Sequence, residues 1–141
     1  MISYKQIKKA INDTLKAKFN IEINSKDIKE GFIRPSFFVE FDEMNRIGLE
    51  SQIERSFTVR IYFFASDKDA PSIENMEVQE ELENAFDMKL KVADRFFNVL
   101  EARSVVSDGV LQFEFEIQYE EGREIEEAEE IKELQFKNEV H

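Results

Sequence analysis

At 141 residues the chain has the size of one ordinary domain, long enough to bury a core without disulfide or metal staples. It is 42% hydrophobic and 35% charged, with a formal net charge of −12, which describes an acidic, soluble, globular protein. That charge argues against gripping a nucleic-acid backbone, which needs Lys and Arg to displace counterions, and the absence of Cys excludes disulfides, thiolate metal sites and Cys nucleophiles.

Ser3 followed by Gln6 is a capping-box pattern, and Tyr4, Ile7, Ala10, Ile11, Leu15 and Phe19 then recur at three- and four-residue steps. This predicts an amphipathic helix from about Tyr4 to Phe19, with Lys5, Lys8, Lys9, Lys16 and Lys18 along it. Met1–Asn20 is basic and helix-periodic rather than continuously apolar, unlike a signal peptide. No apolar run approaches the ~20 residues needed to cross a bilayer. Synthesis in the cytoplasm and no membrane partner are therefore expected.

Asn24-Ser25-Lys26-Asp27 is a turn signal, and Arg34-Pro35 opens the first predicted strand, in which Phe37, Val39 and Phe41 oppose Phe38 and Glu40. Asp42 to Arg55 is polar and reads as a loop or the tip of a long hairpin. Ser56 to Phe64 is the clearest strand, with Phe57, Val59, Ile61 and Phe63 on one face. After the turn chemistry of Ser66 to Pro71, Ser72 is placed to cap a second helix with Ile73, Met76, Leu82, Ala85 and Phe86 as its buried stripe.

Met88 to Val92 predicts a short strand, turning at Ala93-Asp94 into a second run from Arg95 to Val106. Asp108-Gly109 between two β-rich runs signals a type I′ hairpin, since both residues tolerate positive φ. Val110 to Tyr119 alternates strictly, with Leu111, Phe113, Phe115, Ile117 and Tyr119 toward the core and Gln112, Glu114, Glu116 and Gln118 outward. Beyond Gly122 the chain turns Glu-rich, and the alternation of Leu134 and Phe136 suggests a terminal strand.

The expected architecture is α+β: a single domain over 1–121, built on a mostly antiparallel β-sheet of about four to five strands packed by two helices. An acidic C-terminal extension over 122–141 completes it.

Little in the sequence carries chemistry. The only His is His141, the last residue, and four glycines form no phosphate loop or dinucleotide fingerprint. Asp67-Lys68-Asp69 lacks the Gly and closing Glu of a calcium loop. No catalytic residue, metal or cofactor is implied. Phe38, Tyr62 and Phe64 lie opposite the main core faces, where a helix of the same chain or a neighbouring subunit must cover them. Together with Leu134 and Phe136 they are the candidate interface residues. The acidic Asp42, Glu43 and Glu50 are the candidate lining of a channel past which a duplex slides without sticking.

The order and spacing of Arg34-Pro35-Ser36-Phe37-Phe38, Arg55-Ser56-Phe57-Thr58-Val59-Arg60-Ile61-Tyr62-Phe63 and Asp108-Gly109-Val110-Leu111-Gln112-Phe113 resemble the phage tail terminator family of Gram-positive phages and contractile phage-tail-like particles. The resemblance spans roughly Tyr4 to Tyr119; Ser36 and Gln112 stand where members often carry Cys and His. It implies a non-enzymatic virion protein, a homo-oligomeric and usually hexameric ring at the head-proximal end of the tail. Its partners would be the tail tube protein, the sheath protein and a neck, connector or collar protein. The residues leave two other readings open: another neck or head-completion protein of the same particle, and a free acidic protein that mimics DNA or acts as a small regulator.

Overall fold

A computed structural model of the chain describes residues 1–24 and 33–123. Helix α1 spans Tyr4–Lys18, and the capping box is complete. Ser3 Oγ accepts from the Gln6 N–H at 3.1 Å and Gln6 Oε1 accepts from the Ser3 N–H at 2.8 Å, satisfying two of the helix's orphan donors. Ile7, Ile11 and Leu15 form its buried stripe.

The strands are β1 (Glu22–Asn24), β2 (Ser36–Gly48), β3 (Gln52–Phe64), β4 (Met88–Val92), β5 (Arg95–Val99), β6 (Ala102–Ser107) and β7 (Val110–Gly122). Five of them form one sheet in the order β1-β2-β3-β7-β6, while β4 and β5 form a separate hairpin. The large sheet is antiparallel except for β1, which runs parallel to β2 from Glu22↔Ser36 to Asn24↔Phe38. Asn24 Nδ2 donates to the buried Ser36 Oγ at 2.9 Å across this pair. Asn24, expected to open a turn, is thus the last residue of β1, and Ser25 to Asp27 of that signal lie outside the described residues.

The stretch from Asp42 to Arg55 is the hairpin alternative of the two expected. β2 and β3 stay paired from Ser36↔Phe64 to Gly48↔Ile53, with one register shift between Asp42 and Asn45. β7 follows β3 along almost all of it, from Phe63↔Leu111 to Gln52↔Gly122. Its strand therefore continues past Tyr119, where the alternation had been expected to end, to Gly122. The Asp108-Gly109 turn has φ of 52° and 76°, as the type I′ reading requires.

Two expectations fail. Helix α2 (Ser72–Ala85) has Pro71 at its N-cap position and no side-chain cap bond, so Ser72 is helical and does not cap. Its buried side chains are Asn75, Val78 and Leu82, while Ile73 and Met76 face solvent. The physical reason is that Asn75 Nδ2 reaches across to donate to the Gly109 carbonyl at 3.1 Å, which turns the first two helical turns away from the expected phase. Likewise the run from Arg95 to Val106 is two strands. It breaks at Leu100-Glu101, so that β5 pairs β4 and β6 pairs β7.

The core lies on one side of the large sheet. Phe37, Val39, Phe57, Val59, Ile61, Phe63 and the odd-numbered residues of β7 from Leu111 to Tyr119 meet Ile7, Ile11 and Leu15 of α1, Val78 and Leu82 of α2, and Leu90, Val92, Phe97 and Val99 of the β4–β5 hairpin. Ring contacts fix the layers: Tyr4 meets Phe57 edge-on at 5.6 Å, Phe19 meets Phe37 at 5.0 Å and Phe97 stacks on Tyr119 at 4.8 Å.

Candidate functional site

Because side chains alternate along a strand, placing both helices and the β4–β5 hairpin on the odd-numbered face leaves the even-numbered residues of β3 and β7, and those of β2 up to the register shift after Asp42, on the other. On that face Arg60 stands at the middle of the sheet, directly opposite Glu40 of β2 and Glu114 of β7. Four carboxylates converge on it. Its Nε donates to Glu114 at 3.0 Å, one terminal nitrogen binds Asp42, and the other meets Glu43 at 3.3 Å. Glu40 lies at 3.8 Å. Glu114, then Asp42, hold the guanidinium charged even more firmly than usual. The Asp42 carboxyl is held below its ordinary range, first by the Glu43 backbone N–H and then by Arg60.

Arg60 gives a testable consequence. Asp42, with its lowered folded-state pKa, contributes stability that is present above the unfolded value and lost as pH falls through the folded one. Arg60→Ala leaves four carboxylates facing each other at neutral pH. Thermal unfolding is expected to fall by roughly 4 °C at pH 7, corresponding to about 1 kcal/mol for a partly screened charged hydrogen bond. The gap from the native chain should narrow as pH falls through the lowered pKa of Asp42. A gap that widened on acidification would overturn this account of the cluster.

The sequence-based candidates are distributed as follows. Asp42 and Glu43 lie at the register shift of β2, Glu43 with φ of 54°, and both belong to the Arg60 cluster. Glu50 is exposed in the β2–β3 turn and lies away from them in the sequence of the hairpin. Phe38 and Tyr62 are half-buried and pair across β2 and β3 at 6.0 Å between ring centroids. Phe64 is 2% exposed, with the Arg34 guanidinium 6.0 Å above its ring, so it belongs to the interior. Leu134 and Phe136 lie outside the described residues.

Sequence reasoning missed a second polar cluster, at the far end of β7. Glu121 is buried and accepts from the Ile2 N–H at 2.8 Å, with Arg55 at 3.8 Å and Arg95 at 4.0 Å. Arg55 donates to the Tyr4 hydroxyl at 2.9 Å, a contact that raises its pKa further, and its guanidinium sits 5.3 Å from the Tyr4 ring. Burial, with the Glu121 charge beside it, pushes the Tyr119 hydroxyl up to about 12. A charge in the middle of an acidic C-terminal run was the only sequence signal, and it is indistinguishable from solvated Glu.

A groove of about 450 Å³ runs beside the Arg60 cluster toward the β5–β6 link, lined by Thr58, Arg60, Asn98, Glu101, Glu114 and Glu116. It offers charges and amides but no nucleophile–base pair. Among the described residues no group of His, Cys, Asp or Glu is arranged to hold a metal ion, and no helix is long and apolar enough to cross a membrane.

No curated protein matches the chain. A family model described as phage tail terminator protein matches residues 6–129, from the first turn of α1 past the end of β7. With all five strands of the sheet and both helices inside that match except the first two residues of α1, the chain belongs to the phage tail terminator family, structural proteins of the virion tail.

Proposed function

We propose that the chain closes into a ring, of six copies, on the head-proximal end of the tail tube and ends the growth of the tube by geometry alone. One ring surface copies the interface of a tube subunit, and the opposite surface offers no further one. The tube protein, the last sheath ring and a neck or collar protein are its partners, and no catalytic step is involved. A host-cell cytoplasm is the place of synthesis and the tail the place of work.

The observation that carries this reading is the one-sidedness of the fold. Both helices and the small hairpin lie on one face of the sheet, and the other presents Glu40, Asp42, Glu43, Glu114 and Glu116 around Arg60. Turned inward, such a face lines a channel with carboxylates that repel a passing duplex. Asp42 and Glu43 are its most exposed acids around Arg60, and Glu50 extends the lining at the hairpin tip. Phe38 and Tyr62, at the β1 end of the same face, supply apolar contact to the adjoining component of the tail. Leu134 to Val140 adds as an edge strand to a neighbouring subunit or to the sheath, its backbone bonds giving affinity and Leu134 and Phe136 the register.

Imaging of particles carrying a labelled subunit tests the reading: label is expected in one ring, at the end of the tail next to the head or collar. Label repeated along the tail would end it. The free subunit is also expected to show essentially no duplex binding at physiological salt, and tight binding would contradict the lining.

A further inference from the structure

Among the described residues the large sheet has two open edges. β1 covers β2 only along Ser36–Phe38, so the edge of β2 from Val39 to Gly48 has no strand beside it among the described residues. At the other side β6 pairs β7 through Ala102↔Phe115 to Ser107↔Val110, and its own outer edge has no strand beside it among the described residues. Val105 and Val106 there are 54% and 52% exposed, unusual for a strand edge that is to stay in water.

Three properties match these edges to each other. The first is direction. β2 is antiparallel to β3, β3 to β7, and β7 to β6, so β6 runs opposite to β2. A rotation about an axis along the sheet preserves strand direction, and β6 of one copy therefore meets β2 of the next as an antiparallel pair. The second is stagger. β6 lies level with Leu111–Phe115 and hence, through β3, with Phe37–Phe41, while the open part of β2 continues beyond that level to Gly48. A closed wall of strands needs such an offset, because its strands tilt against the axis.

The third is charge. Across the open face the register runs Glu40, Arg60, Glu114, Arg103, alternating in sign over four strands. The row is unbalanced at both ends. On the β2 side Glu40, Asp42 and Glu43 share Arg60 with Glu114, whereas Arg103 on β6 is 74% exposed and pairs, among the described residues, with Glu101 at 3.4 Å.

We infer that copies of this chain join edge to edge, β6 of one adding antiparallel to the open edge of β2 in the next, with Arg103 seated among Glu40, Asp42 and Glu43 of its neighbour. The contact is heterologous, so it propagates in one rotational sense until it closes. Ladder bonds hold the pair together. The charge row fixes its register and disfavours the reverse contacts, which would set β6 against β6 or β2 against β2. The inference rests on the ring reading above and adds the surface that makes the ring.

The chain has no Cys, so pairs can be introduced cleanly. In full-length chains assembled on tails, Val105→Cys combined with Glu40→Cys, which the antiparallel register sets opposite each other once Arg103 sits at Asp42, and a short bis-maleimide is expected to give a ladder of covalent oligomers ending at the ring size. Lys8→Cys with Glu80→Cys, both exposed in the helix layer, should give none. Arg103→Glu should abolish ring formation while leaving the monomer folded, and adding Glu43→Arg should restore it. Rings that persist in Arg103→Glu, or that cross-link only through the helix layer, would overturn the edge contact and leave the ring standing. Tails on which the subunit forms no ring at all would overturn both.

Discussion

Phe113→Ala is expected to cost about 3–5 kcal/mol, the usual range for truncating a buried Phe. Phe113 is fully buried on β7, with Phe86 at 6.2 Å and Phe115 at 6.1 Å between ring centroids. A domain's whole stability is about 5–15 kcal/mol, so soluble yield should fall sharply. Glu114→Ala, one residue along and on the opposite face, should cost no more than about 1 kcal/mol, through its hydrogen bond to Arg60. Urea denaturation of the two variants reads the difference directly. Equal losses would mean that β7 does not bury its odd-numbered face.

Glu121→Ala should be the costliest change of any surface-looking residue. Its carboxylate gathers the Ile2 N–H, Arg55 and Arg95 at the junction of the chain's first residues with β3, β5 and β7. Removing it strands a buried N–H and leaves Arg55, already short of a partner at Nε, without its counter-charge. The expected loss is about 3 kcal/mol, the lower end of the range for breaking a buried pair, since Arg95 is partly exposed. Glu120→Ala, exposed and adjacent, should stay within about 0.5 kcal/mol of the native chain. The same junction ties the end of β7 to the residues before α1. A chain ending at Arg123 keeps the cluster, while one ending at Tyr119 loses it, and thermal unfolding of the two should differ accordingly.

Strands with period-two alternation were legible in the sequence because one face of each is apolar and the other charged. Phe57 to Phe63 and Leu111 to Tyr119 fall on the core face as that pattern demands. The α1 capping box and the Asp108-Gly109 turn were legible for a similar reason: each is a local chemical device whose partners lie within a few residues. The phase of α2 was not, since it depends on a hydrogen bond from Asn75 to Gly109, 34 positions away. Nor was the break at Leu100-Glu101, where a continuous β-rich run changes sheets. Of the candidate site, Asp42 and Glu43 were identified as acids, but their convergence on Arg60 depends on the β2–β3–β7 register. Phe64 alternates with the core residues yet is buried, at the end of β3 where the Arg34 side chain lies over its ring and donates to the Ala65 carbonyl.

The uneven lengths of the ladders have a mechanical consequence. β3 is bonded to β2 on one side and β7 on the other along nearly all of its 13 residues, whereas β1 contributes three residue pairs and β6 six. A load applied along the strand axis is therefore borne in shear by two long ladders at once, and no single bond can yield before the others. A load applied sideways peels a short strand from the rim one bond at a time. The protein is stiff along its strands and compliant where strands leave and join its edges.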